Sequence, residues 1–513
     1  MTNINLLQSP PPKLVDVQKS VFSREALEFV SKLHRTFDFE IEKLYKGRFA
    51  RNASIQTKNC LDFKISPERS DKTWKVGPIP SRLQNRHLDL GDVSPSNAAH
   101  FIEALNSDVQ GIQVDFDDGH CPTWRNQLLA YNNINLLVNG KLPGAPPSLS
   151  TCPVLMLRPR AWNMIDHDIL IEGKEAIGPL VDFGILMYHN AKKLYEANSG
   201  PYFYLSKLEG STEAKLWNDI FVWTQNELNL PYGTIKACVL IENILSTFEL
   251  EEILYALKDH SLGLNCGIWD YCASIISKFG DRKEFLLPDR NKYVNMDRHF
   301  LNSYMRLVVR TCHERGAPAT GGMAAAMLKP GCNGSDDELV PYVNELWKKN
   351  GTTPNQITRQ INTNVTAIDL LTIPQGGVTL QGIKHNVAVT ILFIYHWLAG
   401  IGHFFYNGNI EDSATAEISR AQIWQWIRFS PPIEDDSNQQ VTPNLIEKTA
   451  TSFAAHARKN LCRSSAERKR LTAAKYMSLE IFYSRNPPEF ITSYLNDNHK
   501  FRTLHNKELL SNL

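Results

Sequence analysis

Residues 263–271 read GLNCGIWDY, an apolar run that ends in a single carboxylate, Asp270. A second run of the same layout, KACVLIEN (236–243), ends at Glu242. Short apolar runs bounded by polar residues are typical of strands buried in a parallel sheet. Acids at the ends of two such runs are therefore the first indication of both the fold and the site.

Three further runs share this layout and end in charged residues. They are GIQVDFDDG (111–119) with Asp118, VLMLRPRAW (154–162) with Arg160, and YFYLSKLEG (202–210) with Glu209. Amphipathic, helix-like stretches lie between the runs, and this alternation predicts a parallel α/β sheet. The number of repeats favours a TIM-type (β/α)₈ barrel, whose site lies at the carboxyl ends of the strands. A doubly wound open sheet remains the alternative, although no glycine-rich dinucleotide fingerprint follows the first run.

The segments on either side of these runs have a helical pattern. The segment SREALEFVSKLHRTFDFEIEKLYKGR repeats apolar residues at helical spacing after Ser23, a candidate N-cap. Near the other end, runs such as IKHNVAVTILFIYHWLAG indicate further helices. We therefore predict an N-terminal helical unit over 1–90, a barrel over 91–375 and a C-terminal helical domain over 376–513.

Charge and hydropathy exclude several classes of function. The net charge of +1 gives no electrostatic case for a nucleic-acid or membrane partner, and no window is apolar enough to span a bilayer. The nine cysteines form no CxxC pair, which favours reduced thiols. The start, MTNINLLQSPPPK, lacks a secretory pattern, and the final SNL is a weak version of a peroxisomal signal. We therefore expect a cytoplasmic or peroxisomal protein.

A single acid at a strand end is more often a solvated loop residue than a ligand. Several carboxylates that converge on one barrel mouth, however, repel one another unless a cation neutralises them. Mg²⁺ prefers oxygen ligands, and the absence of histidine from the set argues against zinc. His313, in CHERG, does not have the HExxH spacing of a zinc-binding helix, so a surface or core histidine is the preferred interpretation. Asp412, in NGNIEDSATAEISRAQ (407–422), precedes a predicted helix, and helix-start acidity alone accounts for it.

Several stretches resemble the malate synthase family, in its shorter, non-G form. They occur in the family's order over about residues 23–485: DFDDGHCPTWRN, RPRAW, GPYFYLSKLEGSTEAKLWNDIF, GTIKACVLIEN, ELEEILYALKDHSLGLNCGIWDY, CHERGAPATGGMAA and NIEDSATAEISRAQIWQW. The resemblance implies a TIM barrel with an N-terminal helical clasp and a C-terminal helical plug over its mouth.

The resemblance also implies an activity and a set of site residues. The family is an acyltransferase of the glyoxylate cycle that condenses acetyl-CoA with glyoxylate to give malate and CoA. By resemblance, Glu242 and Asp270 bind Mg²⁺, and Arg160 polarises the aldehyde and stabilises the enolate. Arg160, Gly267 and Asp270 contact the substrate, and Asp412 is the base that deprotonates the acetyl methyl group.

The sequence departs from the family pattern at several positions near the expected mouth. Ile268 stands where the family has arginine, Ala161 replaces glycine, Asn163 replaces histidine and Asn243 replaces threonine. The family's strand resembling GTWVAHP has no counterpart, so we predict that residues 328–352 form a shortened crossing beside an open or irregular barrel. These departures keep two alternatives open. One is a catalytically silent paralogue that binds a ligand or regulates a partner, and the other is a related enzyme for another oxo-acid or acyl-CoA.

Overall fold

The computed structural model describes residues 4–57, 61–321, 339–350, 353–499 and 501–502. Its strands are β1 (Ile4–Leu6), β2 (Asp89–Val93), β3 (Gly111–Asp115), β4 (Val154–Arg158), β5 (Ile165–Ile171), β6 (Lys174–Ile177), β7 (Tyr202–Leu205), β8 (Lys236–Ile241), β9 (Ser261–Cys266), β10 (Ala319–Gly321), β11 (Phe404–Tyr406), β12 (Asn409–Glu411), β13 (Pro432–Ile433) and β14 (Asp436–Gln440).

The α-helices are α1 (Val15–Val21), α2 (Arg24–Thr57), α3 (Pro67–Ser70), α4 (Ala98–Leu105), α5 (Trp124–Val138), α6 (Gly178–Glu196), α7 (Ser211–Glu227), α8 (Ile244–Thr247), α9 (Leu250–Ala256), α10 (Ile268–Phe279), α11 (Arg290–Tyr293), α12 (His299–Glu314), α13 (Leu339–Asn350), α14 (Ala367–Leu371), α15 (Leu380–Trp397), α16 (Ser413–Phe429), α17 (Pro443–Asn460), α18 (Ser465–Tyr483) and α19 (Ile491–Asp497).

The central sheet is parallel and has the order β10-β9-β8-β7-β4-β3-β2. Most neighbouring strands are joined by a helix, which is the connection that parallel strands require. Strands β4 and β8 are buried at every position, as continuous apolar runs predict. The prediction of a TIM-type α/β barrel is therefore confirmed, and its parallel strands carry their carboxyl ends to one edge.

The sheet contains seven strands within the described residues, and β2 and β10 each have one neighbour there. The residues that directly follow β10 lie outside the described part, so the predicted opening of the barrel on that side stays a prediction. Of the predicted crossing 328–352, residues 328–338 and 351–352 lie outside the described part, while α13 accounts for 339–350. This helix lies near the start of β2, where the Trp347 ring stacks on His87 with centroids 5.0 Å apart.

The N-terminal helix α2 lies against the outside of the barrel. The Ser23 hydroxyl accepts a hydrogen bond from the backbone N–H of Ala26, so Ser23 is the predicted N-cap. Further along, Arg48 forms a buried bidentate pair with Glu213 on α7, with both N–O distances at 2.8 Å. Arg51 donates to the backbone carbonyl of Glu209 at 2.7 Å. The helix therefore clasps the strand-to-helix connection that follows β7.

The C-terminal helices form a second apolar cluster around α15, which packs against α16, α17 and α18. Helix α16 also packs against α10 of the barrel. Within the described residues, no helix is both long and apolar enough to cross a membrane. The cysteines described there are all buried and free. The SNL sequence lies outside the described residues.

Candidate active site

Five neighbouring strands each carry a charged side chain at or just after their carboxyl end. These side chains are Asp118 after β3, Arg158 on β4, Lys207 after β7, Glu242 after β8 and Asp270 in the first turn of α10 after β9. Oxygens of the three acids lie within 4.8 Å of one another, and all three side chains are buried. The predicted convergence of the strand-end acids is thus confirmed for Asp118, Glu242 and Asp270. Glu209, the other strand-end acid, is not part of this group and pairs with Lys278 at 2.5 Å.

The turn that carries Asp118 is held by its own backbone. The carboxylate of Asp115 accepts hydrogen bonds from the N–H of Asp117 at 2.7 Å and of Gly119 at 2.8 Å. A Cβ at position 119 would lie only 2.6 Å from the carbonyl oxygen of Asp92. The glycine of this turn is therefore a steric requirement, and the tight turn places Asp117 and Asp118 beside each other.

Two buried cations face this pair of aspartates. Lys207 Nζ lies 2.8 Å from Asp117 Oδ2, 2.7 Å from Asp118 Oδ1 and 3.5 Å from Asp270 Oδ2. Arg158 pairs with Asp118 and lies 3.2 Å from Asp117. Burial acts to raise the pKa of Asp118, but the two cations hold it below its ordinary value. Burial acts to lower the pKa of Lys207, but the surrounding acids raise it. We call Asp117, Asp118, Glu242 and Asp270 the carboxylate cluster.

Glu242 and Asp270 keep oxygens that could bind a metal ion. Glu242 Oε1 accepts the N–H of Lys207 at 2.7 Å, whereas Asp270 Oδ2 is buried without a hydrogen-bond partner. Burial raises the pKa of both carboxyls, and the charge of Asp118 adds to this effect. A buried carboxylate in this condition is stabilised by a cation. Asp118 is less available because both of its oxygens already accept hydrogen bonds.

The remaining space also suits a small ion. The cavity beside Lys207, Glu242 and Asp270 has a volume of about 10 Å³, roughly the room that one water molecule needs. Gly267 closes this region, because a Cβ there would lie 2.9 Å from the Cβ of Glu242. The structure thus places Gly267 against a candidate metal ligand, and any larger residue would displace that ligand.

Asp412 approaches the cluster from the C-terminal domain. It is the N-cap of α16, accepting the N–H of Thr415 at 3.0 Å in a capping box. The next residue, Ser413, donates its hydroxyl to Asp118 and so ties this helix start to the barrel. Burial, reinforced by the charge of Asp118, raises the pKa of Asp412 to about 7. Asp412 is therefore both a helix cap and a titratable group beside the cluster.

Arg160 points to different partners from those the resemblance implied. Its guanidinium donates to Asp182 on α6 at 2.8 and 2.9 Å and to Asp166 at 2.8 Å. Strand β4 ends at Arg158, and after Pro159 the chain turns toward α6. The arginine that pairs with the carboxylate cluster is Arg158.

Of the departures from the family pattern, Ala161 and Asn243 lie beside the cluster, since Asn243 lines the same cavity as Glu242 and Asp270. The N–H of Ala161 is 3.4 Å from Asp117 Oδ1, and the side chain of Asn163 donates to Ser493 at 2.9 Å. Asn243 is the N-cap of α8, and its side chain accepts the N–H of Leu245 at 3.0 Å. Ile268 is the first residue of α10. Asn163 and Asn243 therefore each have a local role in the fold, Asn163 as a hydrogen-bond donor to Ser493 and Asn243 as a helix cap.

Reasoning from sequence did not single out Arg158 or Lys207. Each is a cation at the end of an apolar run, which is the same signal that identified the acids. The backbone of Lys207 is also in the left-handed region, with φ at 55°. This conformation is uncommon for a residue other than glycine and is found often at functional sites.

Comparison with known proteins finds matches to malate synthases. The family model for the malate synthase TIM barrel domain matches residues 154–334, and the model for the malate synthase C-terminal domain matches residues 377–498. Malate synthase of Dictyostelium discoideum is 36% identical over 462 residues, which cover 81% of this chain and 84% of that protein. Glyoxysomal malate synthase of Candida tropicalis is 34% identical over 487 residues, covering 87% and 88%.

A longer relative matches as well. The bifunctional glyoxylate cycle protein of Caenorhabditis elegans is 34% identical over 512 residues, which cover 93% of this chain and 52% of that protein. This chain therefore spans about half the length of the nematode protein. The two family models match the barrel and the C-terminal helices in the order in which the structure shows them. With relatives above 30% identity over most of both chains, this chain belongs to the malate synthase family.

Proposed function

We propose that this chain is a Mg²⁺-dependent acyltransferase that condenses acetyl-CoA with glyoxylate to give malate and CoA. The observation that carries the proposal is the meeting of Asp412 with the carboxylate cluster across the two domains. Ser413 is hydrogen-bonded to Asp118, so a base on the C-terminal domain faces a candidate metal site in the barrel. An aldol-type condensation requires these two parts: a base for the carbon acid and a polarised carbonyl.

Glu242 and Asp270 would hold the Mg²⁺, with Asp118 as a third carboxylate beside them. Their ligand atoms are all oxygens, which is the set that Mg²⁺ prefers. When bound, the ion would supply Lewis-acid polarisation of the glyoxylate carbonyl. The orphaned, buried Oδ2 of Asp270 is the feature of this chain that fits such an ion.

Arg158 takes the role that the resemblance gave to Arg160. It is the guanidinium that pairs with the cluster, and it therefore lies where negative charge develops on the reacting oxygens. A preorganised cation in a buried site stabilises such charge strongly. Arg160 instead holds α6 to the end of β4 through Asp182.

Asp412 is the base in this proposal. Its carboxylate takes a proton from the acetyl methyl group, and the resulting enolate carbon bonds to the aldehyde carbon of glyoxylate. Water then cleaves the thioester, which gives malate and releases CoA as the thiol. A pKa near 7 suits this step, because a general base works best when its pKa is close to the working pH.

The test is a CoA-release assay with acetyl-CoA and glyoxylate in the presence of Mg²⁺. Parallel reactions with other small oxo-acids and with a longer acyl-CoA test for a related specificity. Release that requires glyoxylate, acetyl-CoA and Mg²⁺ together supports the proposal. Release only with another pair of substrates identifies a related enzyme, and no release with any pair contradicts catalysis.

One observation favours a second candidate, a silent paralogue that binds a ligand or a partner. Within the described residues β2 and β10 are edge strands, and α13 contacts the β2 side through Asn344, whose amide lies 2.8 Å from His87. A change in the barrel between β10 and β2 would affect binding of the acyl donor more than it affects the metal site. Titration with Mg²⁺ and glyoxylate, followed by acetyl-CoA, separates the two candidates, because the paralogue would not bind all three.

The domain division and the location of the protein are also proposals. The division into 1–90, 91–375 and 376–513 is supported by the separate apolar cluster around α15 and by the two family models. A cytoplasmic or peroxisomal location is supported by the name of the glyoxysomal relative from Candida tropicalis. Imaging of the full chain with and without residues 511–513 tests the peroxisomal alternative.

A further inference from the structure

Arg290 is a buried cation that the proposed chemistry does not use. It begins α11 in a barrel segment that is embedded in the C-terminal helices. Just before it, the Asp289 carboxylate accepts the hydroxyl of Thr379 at 2.5 Å, and the carbonyl of Pro288 accepts the side chain of Gln422 at 2.6 Å. Both partners belong to the C-terminal domain, so the backbone at Arg290 is fixed to that domain.

Neutral partners orient the guanidinium of Arg290. Its Nε donates to Asn386 Oδ1 at 3.2 Å, and its NH2 group donates to Ser419 Oγ and to His385 Nε2, each at 3.2 Å. His385 Nε2 also lies 3.5 Å from Glu411 Oε1, so this imidazole lies between the guanidinium and that carboxylate. These bonds fix the direction of the side chain but leave its positive charge without a full counter-charge.

Two further contacts use that charge. The guanidinium carbon lies 4.9 Å from the centre of the Trp269 ring, which is a cation–π distance. On another side, Glu411 Oε2 lies 3.6 Å from the guanidinium and is buried without a hydrogen-bond partner. Through these two contacts Arg290 bridges Trp269 of the barrel and Glu411 of the C-terminal domain.

Both contacts lie next to residues of the candidate site. Trp269 immediately precedes Asp270 at the start of α10, and Glu411 immediately precedes Asp412 at the start of α16. A shift of either neighbour moves the adjacent carboxylate, because each pair shares a peptide bond. The same guanidinium therefore bears on the candidate metal ligand and on the candidate base.

We propose that Arg290 is a positioning residue that fixes the spacing between the carboxylates of Asp270 and Asp412 through Trp269 and Glu411. The inference rests on the proposed function and adds to it a residue that touches neither metal nor substrate. Loss of Arg290 releases the Trp269 ring and removes the ion pair of Glu411, which then keeps only His385, 3.5 Å from its Oε1. Both the metal ligand and the base then lose their support.

The experiment compares Arg290→Met with Arg315→Met in the full chain. Arg315 is a matched control, because it is also buried, pairs with Glu251 at 2.5 Å and lies 4.0 Å from the ring of Trp74. It follows α12 at the amino end of β10, on the face opposite the candidate site. Mg²⁺ affinity by calorimetry, CoA release and thermal midpoint are measured for both variants and for Arg290→Lys.

We expect both methionine variants to lower the thermal midpoint, but only Arg290→Met to weaken Mg²⁺ binding, by about 10–100-fold as for other residues that support metal ligands. Its CoA release should fall as well, and Arg290→Lys should recover part of both, because lysine keeps the charge over Trp269 and near Glu411. Equal Mg²⁺ affinity in Arg290→Met and wild type would show that Arg290 is merely structural.

A second variant keeps the inference testable if Arg290→Met does not fold. Glu411→Gln is isosteric and bears only on the base, so it should lower kcat at unchanged Mg²⁺ affinity. Unchanged kcat in Glu411→Gln would overturn the link to Asp412. If the wild type binds Mg²⁺ but releases no CoA, the proposed function fails while the metal titration still decides the inference. If the wild type binds no Mg²⁺, the metal site and the inference fail together.

Discussion

The two ends of the barrel carry buried charges in different balance. At the amino end, Arg315 pairs with Glu251 and Arg86 pairs with Asp89, while Lys236 donates to the backbone carbonyl of Asp259. At the carboxyl end, Arg158 and Lys207 face a larger group of acids: Asp92, Asp115, Asp117, Asp118, Glu242, Asp270 and Asp412. A buried charge with its own partner is compensated locally, whereas an excess of buried acids indicates a ligand that brings positive charge.

The pKa shifts follow the same division. At the carboxyl end, burial raises the pKa of Asp115 to about 6 and of Asp412 to about 7, with nearby acids adding to the shift. Asp92, which has a φ of 53° at the end of β2, is raised well above its ordinary value by burial and by Asp412. Stability alone would not favour such a cluster, so we attribute it to function.

The largest effect is expected for Asp412→Asn. Asparagine is an equally good N-cap, so the start of α16 should keep its stability. CoA release should fall by roughly 10²–10⁴-fold, the usual loss for a general base. The measurement is CoA release together with the thermal midpoint. Equal turnover in the two proteins would mean that Asp412 acts only as a helix cap. The charge of Asp412 at the carboxyl end would then be structural, like the charges at the amino end.

The two arginines of β4 sharpen the comparison within one segment. Arg158→Lys should lower CoA release by about 10²-fold, because lysine cannot reproduce the forked contact with the aspartates of the cluster. Arg160→Lys should lower the free energy of unfolding by about 1.5–3 kcal/mol with little change in turnover, because it loses charge-assisted hydrogen bonds to Asp182. Urea unfolding and CoA release on both variants decide the matter, and the reverse pattern would restore the role first assigned to Arg160.

These arginines also show how far the sequence can predict the site. Apolar runs that end in acids correctly located Asp118, Glu242 and Asp270, because a parallel barrel brings all strand ends to one edge whatever the details of the loops. The choice between Arg158 and Arg160 depends on Asp182, a residue on α6 that no local pattern connects to β4. Lys207 was missed although it ends an apolar run as the acids do, because no local pattern shows that a cation there faces Asp117 and Asp118.

The fold was predicted more fully than the site for a similar reason. The alternation of strands and helices is local and repeats along the chain, so it specifies the parallel sheet. Arg290 sits between Trp269 and Glu411, which come from different domains, and contacts over such separations leave no periodic signal in the sequence. Side chains that bridge domains are therefore where the structure adds most.

Asp270→Asn tests whether the excess of acids serves a metal. The change removes one anionic ligand without changing side-chain volume, so Mg²⁺ affinity should fall by about 100-fold or more, at or above the upper end of the effect of supporting residues. The fold should remain intact. Asp259→Asn at the amino end, where Asp259 accepts the Tyr232 hydroxyl at 3.0 Å, is the matched control and should bind Mg²⁺ as the wild type does. Equal affinity in all three proteins would make Asp270 a structural acid.

The smallest expected effect is a pH dependence in which rate and stability change in opposite directions. The pKa of Asp412 is raised from 3.8 to about 7 on folding. Between these values the folded state keeps a proton that the unfolded state has lost, so the contribution of Asp412 to stability is complete below about pH 4 and declines as pH rises to about 7.

Turnover needs the ionised base and should rise about tenfold between roughly pH 6 and 8. Bound Mg²⁺ places positive charge nearby, which shifts the rise in turnover to lower pH. Thermal midpoints without Mg²⁺ and CoA release with Mg²⁺, both from pH 5 to 9, provide the test. Asp412→Asn should lose this part of the stability slope, and an unchanged slope would mean that the buried charge at the carboxyl end titrates elsewhere, with Asp92 as the next group to replace.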